Sequence, residues 1–250
     1  MIRIVDANNY VRLILETDAT GLTARTILNM VISSTDPCIF VWDGPNGNRR
    51  RREIYDGYKR NRTPLSKSIT AGFETVEEVL KHTHAIQVKV PGYEGDDVVA
   101  ALARHYAGKG EVVAIYSNDR DFAQIVGEFP DRVFAGYTPK PNVPPSLTRY
   151  YKLTVGDASD NIPGIKGFGV KTWDETDKDT LKSWVDDIIE KGEVRDIGLP
   201  PRVKVDVEEL RCFDKIIKFI PISLEDISKH MVVGKPDHAA ADAYLREFFQ

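Results

Sequence analysis

Three carboxylates fall within four residues at Glu94-Gly95-Asp96-Asp97. Two unit charges about 4 Å apart repel by roughly 4 kcal/mol at an effective dielectric near 20. A cation among such acids removes that cost. Acids in a first helical turn also complement its exposed N–H groups and macrodipole, so a charged helix start alone accounts for the cluster equally well. The glycine between them is no helix-propensity choice, since it costs roughly 1 kcal/mol against alanine. Elsewhere Asp6, Asp43, Asp119 and Asp121 each follow an apolar, strand-like run. One such acid is an ordinary turn residue; several strand ends carrying acids toward one edge point to shared chemistry. Many carboxylates and few histidines suit hard divalent cations, because Mg²⁺ and Mn²⁺ prefer oxygen ligands and keep several waters. Two such ions clamp a phosphodiester, one activating water and one stabilising the leaving oxygen.

A second constellation is Gly156-Asp-Ala-Ser-Asp-Asn-Ile-Pro-Gly-Ile-Lys-Gly-Phe-Gly-Val-Lys-Thr172. It is not a nucleotide-binding loop, because Gly-Lys-Thr adjacency is missing and no strand precedes it. A glycine-rich hairpin between two helices fits better. Gly164, Gly167 and Gly169 let backbone N–H groups approach a phosphate, and Lys166 and Lys171 add charge. A purely structural helix–turn–helix bend is the alternative. A third feature is basic: Arg49, Arg50, Arg51, Arg52, Lys59, Arg60 and Arg62 stand against only Glu53 and Asp56, a local balance of +5 in a chain of net charge −4. Basic segments beside acid clusters suit a protein that grips phosphates and holds metals.

The elements that must position these residues alternate. Ile2–Val5, Cys38–Trp42, Ala85–Val90, Glu111–Tyr116 and Arg132–Ala135 read as strands, the second as one buried on both faces. Helical spacing covers about 23–34, with Ala24, Ile27, Leu28 and Val31 on one face, then 70–81 and the stretch opened by the acid cluster. This alternation indicates a mainly parallel sheet of the doubly wound type, in which ligands bind at the carboxyl ends of the strands. Pro139, Pro141, Pro144 and Pro145 mark a boundary near 138–146. Beyond it the pattern is helical, near 147–155, 178–191, 206–219 and 236–249. The organisation expected is an α/β core over residues 1–145 and a helical region over 146–250.

With 42% hydrophobic and 29% charged residues in 250, the composition is that of a soluble globular protein. No apolar run approaches a membrane span and the N-terminus enters a strand without a signal-peptide pattern. Cys38 and Cys212 suggest neither a disulfide framework nor a zinc site, which favours a reducing, cytoplasmic setting.

In order, Val5-Asp-Ala-Asn8, Val41-Trp-Asp-Gly44, Tyr58-Lys-Arg-Asn-Arg62, Tyr93-Glu-Gly-Asp-Asp97, Ser117-Asn-Asp-Arg-Asp121 and the 156–172 stretch resemble the motifs of the 5′ nucleases. These are the bacteriophage 5′–3′ exonucleases, the flap endonucleases and the 5′-nuclease domain of bacterial DNA polymerase I. The resemblance spans the chain and six motifs in order are specific. It implies a PIN-like fold with helices on both faces of the sheet and a helical arch at about 45–70. A helix–hairpin–helix at about 157–175 would sit in the C-terminal helical region. It also implies residue roles. Asp6, Asp43, Glu94 and Asp96 would form a first metal site, and Asp97, Asp119, Asp121, Asp157 and Asp160 would form or support a second, with Asp96 bridging. Lys59 and Arg62 would contact the scissile phosphate and act with Asp96 in catalysis. The four consecutive arginines, Arg49 to Arg52, would gather and guide the 5′ strand, and Arg60 would also bind DNA. Gly164, Lys166, Gly167, Gly169, Lys171 and Thr172 would bind duplex backbone, where the family often holds K⁺. Two Mg²⁺ or Mn²⁺ ions are the implied cofactors.

The implied function is hydrolysis of DNA at 5′ ends, flaps and branches in replication or repair. The setting would be a bacterial or phage-infected cell, with the protein a monomer beside a replicative polymerase. Two features depart from the family pattern: Trp173-Asp-Glu-Thr-Asp-Lys replaces the usual small apolar residues after Thr172, and the arch segment is brief. Rival readings are a catalytically weak branched-DNA-binding protein, opposed by the retained acids, and a PIN-like single-strand ribonuclease, which needs no hairpin.

Overall fold

The strand-like runs pair into one six-stranded sheet. A computed structural model describes residues 1–247. In chain order its elements are β1 (Ile2–Asp6), α1 (Ala7–Leu15), α2 (Thr20–Ile32), β2 (Cys38–Trp42), α3 (Arg49–Ile54), α4 (Lys67–Lys81), β3 (Ile86–Lys89), α5 (Gly95–Gly108), β4 (Val113–Tyr116), α6 (Ala123–Glu128), β5 (Val133–Ala135), α7 (Thr148–Val155), α8 (Val170–Glu175), α9 (Lys178–Lys191), α10 (Val207–Ile217), α11 (Leu224–Ser228), β6 (Met231–Val233) and α12 (His238–Arg246). The expected last helix, 236–249, is seen over 238–246; its final residues lie outside the described ones. Contacts divide the chain into two units. One comprises Met1–Gly47, Pro64–Thr138 and the segment from Pro221 onward; the other comprises Asn48–Thr63 and Pro139–Ile220.

In the first unit the strand order is β5-β4-β1-β2-β3-β6. Every pairing is parallel except β3 with β6. β2 is buried along its whole length, as its unbroken apolar run requires. Alternation along the strands sends Val5, Cys38, Phe40 and Trp42 to one face, where α1, α2, α4 and α12 contribute Val11, Ile27, Val76, Leu80 and Leu245 to the same core. Helix α5 packs on β1, β2 and β4, carrying buried Val98, Val99 and Leu102. Among the described residues no helix is long and apolar enough to cross a membrane.

Two expectations need correction here. The region after residue 146 is not wholly helical: Met231–Val233 adds an antiparallel strand beside β3, and Gly234, Lys235 and Asp237 donate main-chain bonds to Ala85, Lys81 and His82 at 3.0, 2.7 and 3.0 Å. Nor does the division fall at 145/146: it lies at 138/139, the segment from Pro221 clusters with the sheet, and residues 48–63 cluster with the second unit.

The second unit has its own core, built on Tyr151, Leu153, Phe168, Trp173, Trp184, Val185, Leu210, Phe213 and Ile216. α9 has the expected limits: the Asp177 carboxylate caps its start by accepting from the Thr180 N–H at 2.8 Å, and Gly192 ends it in the left-handed conformation. Helix α8 is only six residues long, which accords with the unusual Trp173-Asp-Glu sequence after Thr172. Thr176 leaves the helical conformation, and Asp177 already begins α9.

Candidate functional site

The register of the parallel strands levels the acids. Val5 pairs with Phe40 and with Tyr116, and Asp6 with Val41, so Asp6, Asp43 and the Ser117–Asp121 turn leave the sheet at one edge. Asp6 is 4% exposed. One of its oxygens accepts the Asn9 N–H at 3.3 Å and caps α1, and the other accepts the Ser117 hydroxyl at 2.8 Å. Burial raises this carboxyl, the Ser117 and Asn9 bonds lower it, the charges of Asp43 and Asp119 raise it, and together they leave it at about 7. Asp43 accepts the Gly95 N–H at 2.7 Å, which ties the end of β2 to the start of α5. Next to Asp43, Gly44 lets the chain after β2 pass against the end of β3: a Cβ there would lie 1.7 Å from the Val90 carbonyl oxygen.

Glu94 sits buried at the N-cap of α5, with half-buried Asp96 and buried Asp97 in its first turn. Asp119 caps the turn after β4, accepting the Asp121 N–H at 2.9 Å while its own N–H donates to Ser117 Oγ at 3.1 Å.

Among the described residues no three His, Cys, Asp or Glu side chains form a ready cage for an ion. Asp6, Asp43 and Asp119 accept hydrogen bonds from nearby N–H and O–H donors. The residues still fit a hard divalent cation. Their donors are all oxygen, and the buried Asp6 carboxyl carries the electrostatic load of two neighbouring acids. Mg²⁺ commonly binds through one or two carboxylates, its remaining positions filled by water and substrate phosphate rather than a closed protein cage.

Asp157 and Asp160 lie in the second unit, beside Lys152. Its Nζ is 2.5 Å from Asp157 and 3.8 Å from Asp160, and Arg62 reaches Asp160 at 3.1 Å. Burial works to raise the Asp157 carboxyl, but Lys152 and the Ser159 donors outweigh it and hold it down at about 2. In this arrangement protein cations neutralise the two acids that the family pattern gives to a second metal. Lys59 is buried and left-handed (φ 51°), with its N–H donating to the Asp160 carbonyl at 3.2 Å and its Nζ 4.9 Å from the centre of the Tyr58 ring. Sequence reasoning missed Lys152. It stands one turn before Gly156, whose positive φ turns the chain so that Asp157 folds back onto it.

The arginine run splits by role. Arg49, Arg50 and Arg52 are exposed, Arg49 pairing with Glu53 at 2.7 Å, and exposed Arg60 meets Asp56 at 3.4 Å. Arg51 is 3% exposed and donates to the carbonyls of Ile216 and Lys218 at 2.9 and 3.2 Å, holding α3 onto α10.

In the hairpin, Lys166, Gly169 and Lys171 are exposed, and a Cβ on Gly169 would meet nothing within 4 Å. Gly164 and Gly167 instead serve close main-chain contacts: a Cβ on them would lie 2.5 Å from Gly156 N and 2.3 Å from the Arg202 carbonyl oxygen. Thr172 is buried, and its hydroxyl accepts from Arg202 at 3.1 Å, so it faces the protein rather than solvent.

The sequence profile of the family described as the 5′–3′ exonuclease, N-terminal resolvase-like domain, matches residues 14–141. The 5′–3′ exonuclease of Aquifex aeolicus is 31% identical over 211 residues, covering 80% of this chain and 70% of that protein. Thermostable DNA polymerase I of Thermus aquaticus is 33% identical over 160 residues; the match covers 60% of this chain but only 19% of that much longer protein. Among solved structures, the T5 D15 protein co-crystallised with metal ions shares the fold with a TM-score of 0.67 at 20% identity, over 99% of this chain and 98% of that one. The bacteriophage T5 D15 flap endonuclease in a pseudo-enzyme–product complex with DNA and metal ions gives 0.57 at 18% identity, over 99% and 97%. A profile match over half the chain and a relative at 31% identity agree with the acid-lined edge of the parallel sheet, and this chain belongs to the 5′–3′ exonuclease family.

Proposed function

We propose that this chain is a structure-specific 5′ nuclease that hydrolyses DNA phosphodiesters at 5′ ends and 5′ flaps, using Mg²⁺ or Mn²⁺, in replication or repair. The observation that carries this is geometric: buried Asp6, Asp43 and the Ser117–Asp121 turn leave a parallel sheet at one edge, beside the acids at the start of α5. Asp6, Asp43, Glu94, Asp96, Asp97, Asp119 and Asp121 would hold the divalent cation. When bound, it supplies activation of water and neutralisation of phosphate charge. Ser117 keeps Asp6 oriented, and the Gly95 N–H does the same for Asp43. Lys59 and Arg62 would supply positive charge to a DNA phosphate. The exposed Lys166 and Lys171 bind duplex phosphates without reading sequence.

The test is cleavage of end-labelled flap, blunt-duplex and single-stranded DNA with and without Mg²⁺, in the parent protein and in Asp96→Asn. Metal-dependent cleavage near the flap junction is expected. Asp96→Asn should lose activity on the order of 10²–10³-fold while still binding the flap. Metal-independent cleavage, or near-normal turnover by the variant, would remove this reading. Cleavage confined to single-stranded RNA would favour a ribonuclease.

A further inference from the structure

Residues 199–204 read Leu-Pro-Pro-Arg-Val-Lys, and the prolines set a tight turn in which the Val203 N–H donates to the Pro200 carbonyl at 2.9 Å. Proline at the second position of such a turn is favoured because its φ is already fixed. The turn delivers Arg202 against the 164–172 hairpin at three places. Its main chain packs on Gly167, where even a methyl group would collide with the Arg202 carbonyl. Its Nε donates to the Gly167 carbonyl at 3.2 Å. A terminal nitrogen donates to Thr172 Oγ1 at 3.1 Å, in the first turn of α8. Two residues on, the Lys204 N–H donates to the Lys166 carbonyl at 2.9 Å.

All three hairpin groups engaged by this strap are acceptors. A planar guanidinium with donors in a fixed fork spans two of them at once, which a lysine ammonium on a flexible stem does not do. The geometry points to Arg202 as a positioning residue: it holds the hairpin in the shape that presents Lys166 and Lys171 to duplex phosphates. This inference rests on the duplex-binding part of the proposed function. It separates Arg202 from the lysines. They would meet the DNA, whereas Arg202, though exposed, turns its Nε and one terminal N–H onto the protein.

The experiment compares the parent with Arg202→Ala and Arg202→Lys. Hydrogen exchange is measured on the DNA-free proteins. Affinity for a flap-bearing duplex is measured without a divalent cation, and the single-turnover rate at saturating enzyme with Mg²⁺. In both variants the Phe168, Trp173 and Lys204 amides should exchange faster while the sheet amides keep their protection. Duplex affinity should fall about tenfold, the size of one or two lost hydrogen bonds. The saturated single-turnover rate should stay within about twofold of the parent. If Arg202→Lys restores affinity and Arg202→Ala does not, Arg202 acts as a charge on the phosphate and the inference is wrong. Unchanged hairpin exchange in Arg202→Ala overturns it too. A parent protein that binds no duplex defeats the duplex-binding reading instead, while the exchange data still decide whether Arg202 braces the hairpin.

Discussion

The Ser117 hydroxyl donates to Asp6 at 2.8 Å, joining the end of β4 to the end of β1 across the acid-lined edge. The bond favours the ionised carboxylate against burial and two neighbouring acids. Replacing Ser117 by alanine should raise the Asp6 carboxyl above about 7. At pH 7 the variant should need more Mg²⁺ for half-maximal cleavage than the parent, and the gap should narrow at pH 9. A gap equal at both pH values would detach Asp6 ionisation from metal binding.

Asp6 also makes metal-free stability depend on pH. Its folded-state pKa, about 7, lies above the ordinary value of 3.8. The raised value means its contribution is complete below the ordinary value and is lost as pH rises through about 7. A divalent cation binds the ionised form, so it should raise the melting temperature more at pH 8 than at pH 5.5. At a hundred times its dissociation constant the stabilisation is about 2.7 kcal/mol. Melting curves in chelator and in Mn²⁺ at the two pH values are the measurement; an equal shift at both counts against Asp6 as a ligand.

Lys152 is 10% exposed, between Asp157 and Asp160. Lys152→Met leaves buried carboxylates short of a cation and should destabilise the protein by about 3 kcal/mol. In the parent, the Asp157 contribution is present above the ordinary carboxylate pKa and is lost as pH falls from about 4 through about 2. Denaturant melts at pH 7 and pH 3 should show the variant's deficit shrinking in acid. A deficit that holds constant would mean the pair contributes little.

The basic segment should separate into three behaviours. Lys59→Ala should lower the single-turnover rate on a flap substrate on the order of 10²–10³-fold even at saturation. Arg50→Ala should leave that rate intact and weaken binding at moderate salt. Arg51→Ala removes a buried guanidinium that ties α3 to the carbonyls of Ile216 and Lys218, so it should lower stability by about 2 kcal/mol, with little direct effect on DNA binding. If Lys59→Ala cleaves at the parent rate once saturated, the segment serves only as a tether.

What the sequence made legible follows from the range of the forces involved. The unbroken apolar run of Cys38–Trp42 and the capped limits of Lys178–Lys191 are local signals, and both elements stand where the pattern puts them. The acids at strand ends were legible for the same reason. Helix α1 was hidden because Asn8 and Asn9 are poor helix formers, and its start depends on Asp6 capping it. Met231–Val233 is too short to read as a strand until it meets Ile86–Val88, far away in the chain. Arg51 looks like its neighbours in one dimension; only the helical turn sends it inward, against α10. The Lys152–Asp157 contact depends on a chain reversal at Gly156 that no spacing rule encodes.

The return of the chain to β3 sets an order of events during synthesis. Emerging from the ribosome, the polypeptide makes β1 to β5 first, then the whole of residues 139–220, and only then the strand and helix that finish the sheet unit. Until Met231–Val233 appears, the outer edge of β3 is unpaired, and until Ala241 and Leu245 arrive, the core beneath α2 and α4 is uncovered. An unpaired strand edge is a template for unwanted association. The nascent acid-bearing sheet therefore stays incomplete until Met231–Val233 and Ala241–Leu245 are made, while the helical unit, with a separate core, has all its parts before the sheet does.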